Sequence, residues 1–403
     1  MKIGLVTPYI YPLPSGVNAH VGELYEHLVV RGHDVRIISS THGPQRSSEG
    51  DIIRLGYGVS VPTNGSVGTL TVSHRYPSLV KAMLERERFD LIHFHEPFVP
   101  FLSLEVLRHS QSVNIATFHA YSGWSPSYEF GRRVMAPYAA RLHGRIAVSA
   151  AARHFIGRYF PGDYKVIPNG VDLRDFGSSA PFSRWRDGTP NILFLGRFET
   201  RKGVLFLLRA FHELREAGVN ARLLLAGTGP QEPEARRYVA SRGLDQVEFL
   251  GRVSEEDKLR AFATADIYAS PATGQESFGI VLLEAMAAGK AIVCSDIHGY
   301  KGVVRRGDQA LLVPPKDPDA LADALITLIR DPERRALMGE SGRRRAVQFG
   351  WENITAKVDD YYAFAIRRAA AEGRLPKGFR ASIPPAPARQ PSATHPGGDE
   401  RDG

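Results

Sequence analysis

Only one cysteine, Cys294, occurs in the 403 residues. An internal disulfide is therefore excluded, as is a zinc site built from cysteines. No stretch approaches the run of about 18 apolar residues that a membrane-crossing helix needs. Pro8 interrupts Met1-Lys2-Ile3-Gly4-Leu5-Val6 too early for the core of a signal peptide. The chain thus reads as a soluble cytoplasmic protein that starts directly with a strand. No repeat at a period of roughly 20–50 residues is visible, which argues against a solenoid. A dinucleotide fingerprint is also missing: Gly227-Thr228-Gly229 follows an apolar strand, but Glu232 occupies the third glycine position. That disfavours an oxidoreductase using a nicotinamide or flavin cofactor, and the two glycines read as structural.

Hydrophobic residues make up 43% and charged residues 23%, the proportions of a soluble globular protein, so there is apolar material for more than one core. The net charge of +8 suits phosphorylated small molecules, anionic lipid or nucleic acid without choosing between them. Arg344, Arg345, Arg367 and Arg368 contribute to it and read as a solvated face. Short apolar runs alternate with amphipathic stretches throughout, the pattern of an α/β protein with parallel sheets. Strands are expected at 2–7, 35–39, 90–95, 114–119, 145–149 and 165–167, then at 191–195, 221–226, 247–250, 266–270, 291–295 and 310–313. About six strands in each half point to two Rossmann-like, doubly wound domains facing a central cleft, with ligands at the carboxyl ends of the strands. Ile167-Pro168-Asn169-Gly170 marks the boundary, giving domains at 1–170 and 171–350. Residues 374–403, rich in Pro, Gly, Ala and Arg, are expected to be a disordered tail.

Five groups of residues carry chemistry. Gly16, between the first strand and a helix over 18–31, lets a phosphate approach backbone N–H groups, although a glycine that merely turns the chain explains it equally well. Gly196-Arg197-Phe198-Glu199-Thr200-Arg201-Lys202-Gly203 follows the strand at 191–195, and cations there suit a diphosphate. Arg197 and Lys202 are the candidates, with Arg201 expected to be solvated. Gly274-Gln275-Glu276-Ser277-Phe278-Gly279 precedes a helix expected to begin near Ser277, whose N-terminus can face an anion. Glu276 and Glu284 would then differ by about 80° and about 12 Å along that helix, so that one carboxylate could take sugar hydroxyls and the other ribose hydroxyls. His119 ends a strand beside the cleft, while His93 and His95 alternate on another strand and read as structural, since no third metal ligand follows by spacing. Asp317-Pro318-Asp319, the one Asp-x-Asp that could serve a metal, reads as a helix cap.

These motifs, in this order and to about Tyr362, resemble glycosyltransferase family 4, whose fold is the GT-B arrangement. Phe94-His95-Glu96-Pro97, Thr117-Phe118-His119, Gly196-Arg197, Lys202-Gly203 and Glu276-Ser277-Phe278-Gly279 with Glu284 carry the likeness. Within the family, the chain looks most like the phosphatidylinositol α-mannosyltransferases of the bacterial envelope. The resemblance implies a retaining hexosyltransferase, with GDP-mannose as donor, a polyol or lipid-linked acceptor such as phosphatidylinositol, no required metal or cofactor, and no nucleic-acid partner. It implies that Arg197 and Lys202 bind the diphosphate, assisted by Gly16 and by the 277–279 segment of Ser277, Phe278 and Gly279. Glu276 would hold sugar hydroxyls, Glu284 the ribose, Lys258 the region of the base, and His119 the sugar near its reacting carbon. Asn18, Asn64 and Ser66 are expected toward the acceptor. Front-side attack assisted by the leaving phosphate is the implied mechanism. The last helix, about 351–371, is expected to return to the first domain.

The chain also departs from those mannosyltransferases. Thr63 and Thr69 stand where they carry an aromatic residue and an arginine for the inositol phosphate. Their basic membrane-attaching helix corresponds to a segment in which Arg75, Lys81, Arg86 and Arg88 are interrupted by Pro77, Glu85 and Glu87. Contact with an anionic membrane at the inner face of the plasma membrane is therefore expected to be weak. A UDP-sugar-dependent α-glycosyltransferase of envelope polysaccharide, glycolipid or trehalose-type synthesis is the neighbouring reading. A non-catalytic nucleotide-sugar sensor is the reading from another class.

Overall fold

The computed structural model describes residues 1–13, 15–41, 48–63, 66–71, 76–177 and 179–382. The first domain is built on β1 (Lys2–Ile10), β2 (Asp34–Thr41), β3 (Ser48–Glu49), β4 (Ile52–Thr63), β5 (Ser66–Thr71), β6 (Leu91–His95), β7 (Val113–Phe118), β8 (Gly144–Ala147) and β9 (Lys165–Val166). Its strand order is β3-β4-β2-β1-β6-β7-β8-β9, with β5 paired to β4. Strands β4 to β9 along this path are parallel, and β3 and β5 pair with β4 in the antiparallel sense. The helices are α1 (Gly16–Val30), α2 (Tyr76–Glu87), α3 (Leu102–His109), α4 (Pro126–Ala140) and α5 (Ala150–Tyr159).

The second domain holds β10 (Asn191–Leu195), β11 (Arg222–Ala226), β12 (Val247–Gly251), β13 (Ile267–Ser270), β14 (Ala291–Ser295) and β15 (Ala310–Val313). They form one parallel sheet in the order β12-β11-β10-β13-β14-β15. Around it run α6 (Val204–Glu216), α7 (Glu232–Arg242), α8 (Glu255–Thr264), α9 (Ile280–Ala287), α10 (Pro318–Arg330) and α11 (Pro332–Ala346), and α12 (Trp351–Ala371) follows. Central strands covered on both faces are buried along their length and so are mostly apolar. Every residue of β6, β7, β11 and β14 is accordingly buried.

Alternation along the strands then separates two cores per sheet. In β1, Ile3 and Leu5 face one side with α1, while Val6 faces the other with α2 and α3. Helix α12 crosses back to the α1 side, where Ile354, Val358, Tyr362 and Ile366 are buried with Leu24, Leu91 and Ile115. At roughly 1.5–3 kcal/mol for each large apolar side chain buried, that face holds the helix on a domain from which its own sequence is remote. The outgoing and returning segments lie side by side, with Val171 N donating to Phe349 O at 2.9 Å.

Two expectations need correction. The helix near Ser277 starts only at Ile280, because Gln275 (φ 59°) and Gly279 (φ 88°) keep the preceding loop out of helical conformation. Residues 374–382 are also not loose: Leu375 and Phe379 pack on the first core, and Ala381 N donates to Asp90 Oδ1 at 3.2 Å. Residues 383–403 lie outside the described residues. The hairpin of β4 and β5 is an addition to the expected strands.

Candidate active site

In each sheet the strand order reverses once, between β1 and β6 and between β10 and β13. A crevice opens at the carboxyl ends of the strands at such a point, because the connections leave in opposite directions. Gly16 opens α1 after the β1 loop, His95 ends β6 with Glu96 next to it, and the loops after β10 and β13 carry Arg197 to Lys202 and Glu276. The two rims are joined directly. Ser149 Oγ donates to Ser277 O at 2.5 Å, and the Tyr121 and His298 rings lie 6.1 Å apart. Gly299, beside His298, lies against Glu276: a Cβ there would come within 1.9 Å of the Glu276 carbonyl oxygen. The His119 loop and the Glu276 loop are thereby neighbours.

On the first rim, four imidazoles gather. His93 is saturated, its Nδ1 at 2.7 Å from Tyr362 OH and its Nε2 at 2.7 Å from Thr117 Oγ1. His95 Nδ1 lies 3.0 Å from His119 Nε2. His20, from α1, sets its ring 4.9 Å from His119 and 5.0 Å from Trp351. Burial pushes the His20 pKa down to about 4 and that of His93 to about 3, and holds His95 and His119 well below the ordinary value. All four are therefore neutral near pH 7. His20, His95 and His119 present nitrogen atoms within 4.8 Å of one another, the one such group among the described residues. Within that trio His95 and His119 share a hydrogen bond, and His20 joins them by ring contact alone.

Glu96 adds a second hold on His119. Its backbone is left-handed (φ 55°), which turns the buried carboxylate back toward the end of β7. There, Glu96 Oε1 accepts from His119 N at 2.5 Å and Ala120 N at 2.8 Å.

On the second rim, Arg201 Nη1 and Lys202 Nζ both reach Glu276 Oε1, at 2.5 and 2.7 Å. Glu199 takes Arg197 Nε at 3.0 Å and Arg201 Nε at 2.9 Å. Three cations against two carboxylates leave a net positive loop at the end of β10, the arrangement that a diphosphate requires. Farther along, Lys258 Nζ binds Glu284 Oε1 at 2.8 Å and Glu255 Oε2 at 2.6 Å. Burial pushes the Glu284 carboxyl up, with Lys258 pulling the other way. For Lys258 burial acts downward, but Glu284 and Glu255 outweigh it and hold the ammonium above its ordinary value.

Residues 14–175 match Glycosyltransferase Family 4, and residues 178–345 match Glycosyl transferases group 1. The phosphatidyl-myo-inositol mannosyltransferase of Mycobacterium leprae is 35% identical over 363 residues, covering 90% of this chain and 96% of the relative. The chain belongs to the family 4 glycosyltransferases. The phosphatidyl-myo-inositol mannosyltransferase of Propionibacterium freudenreichii is 33% identical, covering 91% of this chain and 95% of the relative. Among solved structures, the sucrose-phosphate synthase of Thermosynechococcus elongatus superimposes with a TM-score of 0.72 at 24% identity, covering 92% of this chain and 99% of that one. Anabaena HepE in complex with UDP-glucose gives 0.69 at 20% identity over 90% and 100%. The fold of this glycosyltransferase is GT-B.

In the glycosyltransferase, the expected residues fall into three groups. His119 stands on the first rim; Arg197, Lys202 and Glu276 share the second; Lys258 and Glu284 form a pair. Gly16 is exposed at the first turn of α1, and a Cβ there would meet nothing within 4 Å. Phe278 is buried in the second core, so it shapes the loop instead of facing a ligand. Asn18, expected toward the acceptor, is a correction: its Nδ2 donates to Ile10 O and Leu13 O, and its Oδ1 accepts from Thr7. Buried and spent on these contacts, it shapes the loop after β1. Arg201 is also a correction, since it bridges Glu199 and Glu276 and is not simply solvated. The helix arithmetic for Glu276 fails because that residue precedes α9. Asn64 lies outside the described residues, and Ser66 is placed only as the first residue of β5.

Asp317 caps α10, accepting from Ala320 N at 3.0 Å. The glycines at 227 and 229 pack on the cationic loop: a Cβ on Gly229 would come within 2.6 Å of Phe198 O. Sequence reasoning missed His20 and Glu199. His20 lies 75 residues from His95, and no local spacing links them; Glu199 sits inside the motif already singled out, where an acid between cations signals internal pairing.

Proposed function

We propose that this glycosyltransferase moves mannose from GDP-mannose to a hydroxyl of phosphatidylinositol, with retention of configuration and without a metal. The observation carrying this reading is the 33–35% identity, over nine-tenths of the chain, to relatives named for that acceptor and sugar. The geometry supports it. Arg197, Lys202 and the bridging Arg201 would hold the donor diphosphate and stabilise the negative charge that grows on the leaving phosphate. Glu276, fixed by two of those cations, would accept from sugar hydroxyls. The Lys258–Glu284 pair would meet the nucleoside end, and His119 the sugar near its reacting carbon. Attack by the acceptor hydroxyl from the face of the departing phosphate would deliver its proton to that phosphate.

The test is turnover of a panel of GDP- and UDP-sugars in EDTA, with liposomes containing or lacking phosphatidylinositol, and the product's anomeric configuration by NMR. GDP-mannose consumption dependent on phosphatidylinositol is expected, with an α-linked product. Lys202→Ala should lower kcat by roughly 10²-fold or more. Preferred use of a UDP-sugar, or indifference to the lipid, would overturn the donor or acceptor assignment. Binding without turnover of any donor would favour a sensor.

A further inference from the structure

His93-Phe94-His95-Glu96 contains a second histidine that the reaction as described does not use. His95 is fully buried at the end of β6, and its ring stacks beside that of His119 at 5.3 Å between centroids. One proton lies in the 3.0 Å contact between His95 Nδ1 and His119 Nε2. Which ring owns it decides what His119 offers to a ligand, because a neutral imidazole carries one N–H and one lone pair.

The surroundings of His95 discriminate between the two arrangements. Its other nitrogen, Nε2, is buried and has no hydrogen-bond partner. If His119 owned the shared proton, His95 would have to carry its own on Nε2, as a buried N–H with no acceptor. If His95 owns it, Nε2 is only a bare lone pair. Buried donors without acceptors are the rarer and costlier defect, because an N–H has a single direction in which to be satisfied. His119 Nδ1 is not among the buried unpartnered atoms and has no protein partner among the described residues, so it is the nitrogen available to a ligand.

We propose that His95 is a positioning residue that donates from Nδ1 to His119 Nε2, fixing His119 as its Nδ1–H tautomer. His119 then meets the donor sugar as a hydrogen-bond donor to an oxygen, not as a base. Residues 95 and 96 thus act together: the His95 ring sets the proton of the His119 ring, and the Glu96 carboxylate sets its main chain. The inference rests on the sugar-transfer reading for its consequence, but the tautomer itself belongs to the protein alone.

The experiment is long-range ¹H–¹⁵N NMR of full-length protein labelled at histidine, with His119 assigned through His119→Gln. The wild-type His119 should show a protonated Nδ1 and an unprotonated Nε2. His95→Phe, which keeps a ring in the buried position but removes the donor, should release His119 into mixed tautomers and lower kcat about 10-fold or more with donor KM changed less. His95→Asn, whose amide Nδ2 can stand in for Nδ1, should restore the wild-type shifts and most of the rate. A wild-type His119 protonated on Nε2 would overturn the proposal, as would unchanged His119 shifts in His95→Phe. Because the shifts are read without substrate, they decide the tautomer even if GDP-mannose proves not to be the donor; should His95→Phe not fold, the wild-type and His95→Asn spectra still decide it.

Discussion

At the scale of single residues, the site is a place where polar groups are buried at a cost and made to interlock. Four neutral histidines in the first domain resist protonation because a charged imidazole is poorly solvated there. Each folded-state pKa lies below the unfolded value, so the stabilisation is complete above about pH 6.5. It is lost as pH falls toward the folded value, because only the unfolded chain takes up the proton. For His20, with a folded value of about 4, this amounts to on the order of 3 kcal/mol. Glu96 and Glu284, whose carboxyls are raised, act in the opposite sense across the carboxylate range. The clean window is therefore pH 6.5 to 5. We expect the melting temperature to fall with pH through that window, and His20→Phe to flatten the slope; a variant slope equal to the wild-type one would sink the argument. Of these residues, His119 was legible from its place at a strand end, while His20 was not, since its partners come from β6 and β7.

At the scale of elements, parallel strands were the easiest to read, because double-sided burial writes them as short, mostly apolar runs. Each of the twelve expected strands overlaps an observed one. The β4–β5 hairpin escaped because its residues are Gly-, Ser- and Thr-rich, although Asn64-Gly65 is itself a strong hairpin signal. Loop shape was the other blind spot, and Gly203 shows why. It joins the turn at Thr200–Lys202 to α6 with φ 76°, and a Cβ there would lie 2.0 Å from Pro271 O. That close approach ties the β10 loop to the β13 loop, on which Lys202 and Glu276 depend. Gly203→Ala should cost about 2 kcal/mol or more in urea unfolding and raise the donor KM. Unchanged stability together with unchanged KM would show that the loop is not held in this way.

At the scale of the molecule, the chain crosses between domains twice, at 170–171 and 350–351, and the crossings are adjacent. Trp351 packs on Gly170, where a Cβ would meet the ring at 2.4 Å, and it also touches His20. The returning helix α12 therefore reaches both the crossing between the domains and the first rim. Its Tyr362 donates or accepts at His93, so Tyr362→Phe leaves a buried nitrogen unpaired and should destabilise by about 1–3 kcal/mol. Tyr362→Phe with His93→Phe should be less destabilised than the sum of the two single variants, because the Tyr362–His93 contact is then removed from both sides, and only Thr117 Oγ1 loses its partner. A strictly additive double variant, measured by urea unfolding, would deny the coupling.

Sequence alone determined the α/β class, the two sheets and the family, since periodicity, apolar runs and short motifs are local properties of the chain. It also placed Arg197, Lys202, Glu276 and His119 at strand ends. Tertiary structure alone decided which of them touch: that Arg201 bridges two carboxylates, that Asn18 is spent on its own loop, and that His20 and Glu96 converge on His119. Such contacts depend on sheet order, on φ values at a few loop residues and on a helix returning from the far end of the chain, and none of these is encoded in neighbouring residues.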